Sequence, residues 1–306
     1  MKTIVHLIRR NIKLYFKDKG IFFTSLITPL ILLVLYVTFL ANIYRDSFID
    51  AMPEGVLISG ELLNSMVISQ LIASILAVCC VTCSFCANFL MINDKANKSI
   101  LDFTVSPRKR SSLAIGYYIS SALSTLIITF TTLLVCLIYL KIQNGFYLSF
   151  VDVLLTVSDV FLLTLFGTSL ACCVNFFLTT SGQGSAVGTI VSSGYGFLCG
   201  AYMSISNFPK SLQKVLSFLP STYGTSLIRN HMTRGVLNEM ESCGLTSEII
   251  IGIRDNIDCN LYFGGKAVPV PVMAMVMISS IILFTGLFVL FNMSANRKNY
   301  SHLTAV

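Results

Sequence analysis

The sequence has little charge. Only 11% of its 306 residues are Asp, Glu, Lys or Arg and 55% are hydrophobic, whereas soluble domains carry roughly 25% charged residues. The mean hydropathy of +0.79 therefore excludes an ordinary soluble domain and predicts a membrane protein. The formal net charge of +7 does not indicate a nucleic-acid partner, because the basic residues cluster beside apolar runs, as a topology signal does.

Patterns for catalysis and metal binding are also lacking. The three histidines lie in separate segments, none beside a credible nucleophile: His6, His231 and His302. The stretch GGK at 264–266 lacks the first glycine and the following Ser or Thr of a phosphate loop. Asp159 is the main ionisable residue within the apolar runs, and we expect it at their outer interface. The sequence predicts no enzyme activity, no metal and no ATP site in this chain.

The ten cysteines do not form a disulfide scaffold. Eight lie in apolar runs, where they act as small packing residues: Cys79, Cys80, Cys83, Cys86, Cys136, Cys172, Cys173 and Cys199. Cys243 and Cys259 fall in a polar segment. They are candidates for a disulfide if that segment faces an oxidising compartment, although spacing does not fix connectivity.

Long apolar runs are what the sequence does have. Crossing the hydrocarbon core takes about 20 apolar residues, and six runs meet this length: 21–43, 65–92, 113–140, 153–178, 185–206 and 269–293. We predict an all-α membrane protein with a six-span domain over 21–293. An N-terminal helix at 1–20 precedes this domain, a polar loop at 93–111 and a segment at 207–268 interrupt it, and a tail at 294–306 follows it.

The basic residues predict the orientation of these spans. Six Lys and Arg precede the first span, five lie between spans 2 and 3 and two lie in the tail, whereas the short loops of the other side hold only Arg45 and Lys141. Because positive loops stay inside, both termini are expected in the cytoplasm and 207–268 outside. We expect a multi-pass protein of a bacterial plasma membrane.

Residues 2–17 are predicted to form an amphipathic helix. On a helical wheel the cationic side chains occupy an arc of roughly 100°, and these are Lys2, His6, Arg9, Arg10, Lys13 and Lys17. This pattern is typical of a helix in the headgroup plane of a membrane, with its cations toward anionic lipid. The alternative is a simple orientation signal.

Span 5 carries small residues at every fourth position: Gly184, Gly188, Ser192, Gly196 and Gly200. Such a stripe lets another backbone approach closely. It indicates packing within the subunit, a subunit interface or a path that opens and closes.

A polar insert separates spans 2 and 3. The stretch DKANKSILDFTVSPRKR at 94–110 carries seven charges. Its residues 94–105 can form a short helix that ends before Pro107. By itself the insert is also consistent with a charged loop that fixes topology.

The whole pattern resembles the membrane subunits, or permeases, of type-2 ABC exporters. The family pattern is an acidic residue, a short helix, Ser-Pro followed by basic residues, and then span 3. It is matched by Asp94, SILDFTV, Ser106-Pro107-Arg108 and GYYIS. FLPSTYGTSLIR at 218–229 is similar to a segment that these permeases carry just before the last span. Asp94 stands where Glu is more usual, and Asn97 where Gly is common.

The resemblance implies a mechanism and a set of site residues. A separate cytoplasmic ATPase subunit binds ATP and Mg, and its dimerisation pushes the insert as a coupling helix. Residues of the ATPase contact would be Ile100, Leu101 and Phe103 in a groove, Asp94 and Lys98 at its rim, and Arg9 and Lys13 beside it. The substrate path would lie between two identical or different permeases, lined by Gln70, Ser74, Gly188, Ser192, Gly196 and Gly200. Segment 207–268 would form a cap with short helices at about 210–218 and 222–233.

The spans also suggest a cargo class. Because they are poor in charge but contain Ser, Thr and aromatic residues, we expect an amphipathic or hydrophobic cargo such as a drug, an antimicrobial or modified peptide, or a lipid-like compound. The absence of Trp disfavours sugars. The alternatives are a permease for polysaccharide or lipid-linked glycan and a non-transporting assembly or sensory protein.

Overall fold

The computed structural model describes residues 2–20, 59–100, 110–143 and 145–301, together with isolated positions between 22 and 45. Most of predicted span 1 and the coupling segment 101–109, including Leu101 and Phe103, lie outside the described residues.

The described chain is helical apart from one short hairpin. Its helices are α1 (Lys2–Lys17), α2 (Gly60–Ala96), α3 (Arg110–Ile142), α4 (Phe150–Phe176), α5 (Ser181–Leu198), α6 (Lys210–Leu216), α7 (Pro220–Ser242), α8 (Ser247–Asn256) and α9 (Val270–Ser301). A 3-10 turn spans Ile205–Asn207, and the antiparallel strands β1 (Tyr262–Phe263) and β2 (Lys266–Ala267) pair before α9.

The all-α class is confirmed, but six spans are not. Four described helices are long and apolar enough to cross a membrane: Gly60–Ala96, Ser111–Ile142, Phe150–Phe176 and Val270–Ser294. They correspond to predicted spans 2, 3, 4 and 6. The fifth apolar run forms α5, which ends at Leu198. There the chain turns at Gly200, whose φ of +74° lies in the region that favours glycine.

α2 is the central helix of the bundle. It packs against α3, α4, α5 and α7, and 83% of its most apolar window is buried, against 17% for α9. A helix that is hydrophobic all round is typical of such a buried position. α9 instead exposes apolar side chains such as Met275 and Ile282, as a lipid-facing helix does.

The segment before α9 is more deeply integrated than a separate cap. α6 lies within the first predicted short helix, at 210–218. α7 runs for 23 residues, well beyond the predicted 222–233, and it packs against α2, α4 and α9. Pro220 occupies its first turn, where the missing N–H costs nothing. The buried side of α7 is largely polar, so its position depends on hydrogen bonds and ion pairs.

Candidate functional site

Asp94 lies near the C-terminal end of α2 and holds three helices together. Arg10 of α1 donates to both carboxylate oxygens, from Nη1 to Oδ2 at 2.7 Å and from Nη2 to Oδ1 at 2.9 Å. The hydroxyl of Tyr117 on α3 donates to Oδ2 at 2.6 Å. We call Arg10, Asp94 and Tyr117 the Asp94 cluster. Bidentate pairs of this kind are strong and fix geometry.

The contact with Asp94 stabilises the charged form of Arg10. The hydrogen bond with Asp94 raises the pKa of Arg10 above its ordinary value. The Asp94 residue is only 5% exposed, and its carboxylate is engaged inside the bundle. Its part in coupling stays a prediction.

α1 docks on α3 through one narrow face. Leu7, Asn11 and Tyr15 are buried at i, i+4 and i+8, the spacing of one helical face. The Asn11 amide donates to Ser120 Oγ at 3.2 Å. Arg9 and Lys13 remain exposed on another side. One face of the predicted helix at 2–17 therefore packs against the rest of this chain. Arg10 pairs with Asp94 and does not belong to the predicted lipid-facing cations.

Lys95, the next residue along α2, binds the end of α4. Its Nζ donates to the carbonyls of Asn175, Phe176 and Leu178 at 3.0, 2.6 and 3.2 Å, and it lies 5.2 Å from the centroid of the Phe176 ring. The last carbonyls of a helix lack partners within that helix, and a cation there also complements the helix dipole. The sequence reasoning counted Lys95 only as a topology charge.

Two consecutive residues thus tie the end of α2 to α1, α3 and α4. The chain leaves α2 directly afterwards, with Asn97 as C-cap and Lys98 at a φ of 60°. Lys98 is exposed and Ile100 is half-buried. Ile100, the last described residue before segment 101–109, therefore lies within a few residues of a junction of four helices.

A second polar cluster surrounds Arg229 on the buried side of α7. The guanidinium donates to Asp258 Oδ2 at 3.1 Å, to the Gly200 carbonyl at 2.5 Å and to Ser74 Oγ of α2 at 3.3 Å. The backbone N–H of Ile205 also donates to Asp258, at 2.7 Å. Burial raises the pKa of Asp258, and the charge of Arg229 opposes that rise. We call Ser74, Gly200, Arg229 and Asp258 the Arg229 cluster.

A His–Asp contact and an ion pair also join α7 to α4. His231 Nδ1 lies 2.5 Å from Asp159 Oδ2, and both residues are buried. Arg234, about one turn after His231 on α7, pairs with Asp152. Asp159 is therefore covered by α7 and paired with His231. A hydropathy reading missed these contacts, because the partners are far apart in sequence and α7 is not apolar.

The predicted path residues do not share one surface. Gln70 and Ser74 are fully buried on α2, and the Gln70 amide has no hydrogen-bond partner among the described residues. Gly188 and Ser192 are half-exposed on α5, whereas Gly196 and Gly200 are buried. The Gly196 position is covered by Tyr202 of the following turn. Their role in a path stays a prediction.

The candidate disulfide is not formed. Cys243 is the exposed C-cap of α7, whereas Cys259 is buried with its Sγ 3.6 Å from Thr233 Oγ1. Thr233 and Cys243 are about 15 Å apart along a helix at 1.5 Å per residue, well beyond the Cα separation of roughly 4.4–6.8 Å that a disulfide spans. Both thiols are free.

These features define the class of protein. Apolar helices surround a central helix, buried ion pairs fix their packing, and the described residues include no group of three or more His, Cys, Asp or Glu that could hold a metal ion. This is a multi-pass helical membrane protein.

Comparison with known families is more specific. The model of the ABC-2 type transporter family matches residues 2–233. The chain therefore belongs to this family and is a permease, the non-catalytic transmembrane component of an ABC transporter. The family generally implies an ATPase partner and a dimeric arrangement. No curated protein matches the chain.

Proposed function

We propose that this permease exports an amphipathic or hydrophobic cargo, with work supplied by a separate cytoplasmic ATPase subunit that binds ATP and Mg²⁺. Two permeases, identical or different, form the unit that moves the cargo outward. The observation that carries this proposal is the double attachment of Asp94 and Lys95, directly before the segment that would meet the ATPase.

The contacts at the end of α2 support a rigid transmission of force. A push on segment 97–109 reaches α2 at Ala96, one residue beyond Lys95. The Asp94 cluster passes the displacement to α1 and α3, and Lys95 passes it to α4. Because charge-assisted hydrogen bonds are roughly twice as strong as neutral ones, these helices move together rather than sliding past α2. Lys98, Ile100, Leu101 and Phe103 are the proposed contacts with the ATPase, flanked by Arg9 and Lys13.

The exposed side of α5 supports the cargo class. α5 contains no charged residue, and its exposed side carries the apolar side chains of Ile190 and Phe197. A path bounded by this surface has no charged group to pair with a highly charged cargo. A hydrophobic or amphipathic molecule could lose its water there without leaving a charge unpaired.

Reconstitution with the ATPase encoded nearest to this gene tests the proposal. We expect the two subunits to co-purify and Leu101→Asp to lower ATP-dependent transport without removing the permease from the membrane. Leu212→Asp, at an exposed leucine of α6, is the control. Failure to capture any ATPase, or full transport by Leu101→Asp, would contradict the coupling role.

The cargo is approached through a deletion strain. We expect loss of the gene to increase sensitivity to some members of a panel of membrane-active antimicrobials, with resistance restored by the wild-type gene. An unchanged panel, together with altered export of surface glycan, would contradict the proposed cargo class.

A further inference from the structure

A cavity of about 330 Å³ lies between α2, the C-terminal part of α3 and residues near the end of the first apolar run. This volume is in the range of small-ligand sites, roughly 300–1,000 Å³. Neither the Asp94 cluster nor the Arg229 cluster contributes a lining residue. The cavity is therefore separate from the groups assigned above to coupling and packing.

The cavity is apolar along its length and polar at one end. On α2 its wall runs from Asn64 through Leu71 to Ile75, a distance of about 16 Å at 1.5 Å per residue. α2 begins where α3 ends, because Ser65 Oγ donates to the Gly145 carbonyl at 2.6 Å. Asn64 and Gln143 therefore lie at the same end, opposite to the Asp94 cluster.

The charge of the lining indicates the sign of the ligand. Arg45 is a lining residue and none of the described lining residues is acidic. Arg45 has no acidic partner within the described part of the chain. Amide groups of Asn42, Asn64 and Gln143 also line the cavity. A guanidinium that has no acidic partner among the described residues, next to an apolar trough, fits an anionic head joined to a hydrocarbon tail.

We propose that this cavity binds an anionic amphiphile with one hydrocarbon tail, its head at Arg45 and its tail along Leu71 and Ile75. The proposal concerns a binding site and does not rest on the transport role. A cationic amphiphile would place its charge beside Arg45, and a ligand with two bulky tails would exceed the trough.

The lack of Trp makes a direct binding test possible, because one introduced Trp is the only source of indole fluorescence. Val135 lines the cavity, whereas its neighbour Leu134 does not, and the two are similarly exposed at 54% and 58%. Val135→Trp is thus the reporter and Leu134→Trp its matched control. The purified permease in a neutral detergent is titrated with bromoundecanoate, whose terminal bromine quenches Trp.

We expect saturable quenching of Val135→Trp and only weak, non-saturating quenching of Leu134→Trp. The cationic analogue with a trimethylammonium head should bind at least about tenfold more weakly, since like charges would meet at Arg45. Arg45→Gln should weaken bromoundecanoate binding about tenfold by removing the charge-assisted contact. Lys141→Gln, at an exposed cation near the same end of α3, should change nothing.

Three results would overturn the proposal. Equal quenching of Val135→Trp and Leu134→Trp would mean that bromoundecanoate only partitions into the detergent around the protein. Equal affinity for the anionic and the cationic analogue would mean that Arg45 does not select the head group. The third result is that brominated phosphatidylglycerol in nanodiscs quenches Val135→Trp as strongly as bromoundecanoate does. That result would assign the trough to a two-tailed bilayer lipid instead. Because no ATPase is present, failure here leaves the permease function untouched.

Discussion

The two polar clusters on α2 differ in burial and in what they join. The Arg229 cluster contacts α2 at Ser74, and its Arg229–Asp258 pair has side-chain exposures of only 1% and 6%. The Asp94 cluster lies 20 residues further on, about 30 Å along the helix, and its Arg10 side chain remains 33% exposed. Breaking a buried pair leaves an uncompensated charge, whereas a pair near solvent is partly rehydrated. The first cluster should therefore contribute more to stability, whereas the second is the one to which the coupling role is proposed.

Arg229→Met should produce the largest effect. It leaves Asp258 buried without its cation, and we expect a loss of about 3–5 kcal/mol in the free energy of unfolding. Thermal unfolding of the purified permease measures the change.

A double variant sharpens this test. Arg229→Met with Asp258→Asn removes both charges, so it should recover part of the stability. If the double variant were as unstable as the sum of the singles, the pair would not be the source of the loss.

Asp94→Asn should lower the free energy of unfolding less than Arg229→Met does, but it should reduce the coupling of ATP hydrolysis to transport more. Loss of a charge-assisted pair is worth roughly 2 kcal/mol, while transport per ATP hydrolysed should fall severalfold because α1 and α3 no longer follow α2 rigidly. The measurement compares ATP hydrolysis with transport in one reconstituted preparation. Arg10→Gln should give the same phenotype, and combining the two should add little. Additive effects would show that the residues act independently.

Lys95→Met should have an intermediate to small effect. It removes three donors from the end of α4, and we expect a loss of about 1–2 kcal/mol in unfolding free energy. Lys98→Met is the matched control, since Lys98 is exposed. Equal shifts in melting temperature for the two variants would contradict the capping role of Lys95.

Cys243→Ser should have the smallest effect. An exposed free thiol contributes less than about 0.5 kcal/mol, so the melting temperature should be unchanged with or without reductant. Maleimide should label Cys243 in the folded, unreduced protein and leave Cys259 unlabelled. If Cys243 could be labelled only after reduction, the two cysteines would form a disulfide after all.

Sequence reasoning located four apolar helices, α2, α3, α4 and α9, because their apolar runs are long enough to cross a membrane. It placed the end of span 5 too late, since hydropathy does not register the turn that Gly200 makes. It underestimated α7 because Arg229, His231 and their neighbours look like surface residues until their partners are known. Asp94 and Arg10 were both singled out, but a pairing across 84 positions is not readable from one sequence.

The geometry of α2 limits which changes in sequence this protein can accept. Successive residues on a helix point about 100° apart, so Ser74, Asp94 and Lys95 reach different neighbours only while the residue count between them is kept. Inserting or deleting one residue between Ser74 and Asp94 would turn one contact set away from its partners. Homologous permeases should therefore tolerate many substitutions in this stretch but almost no change in its length.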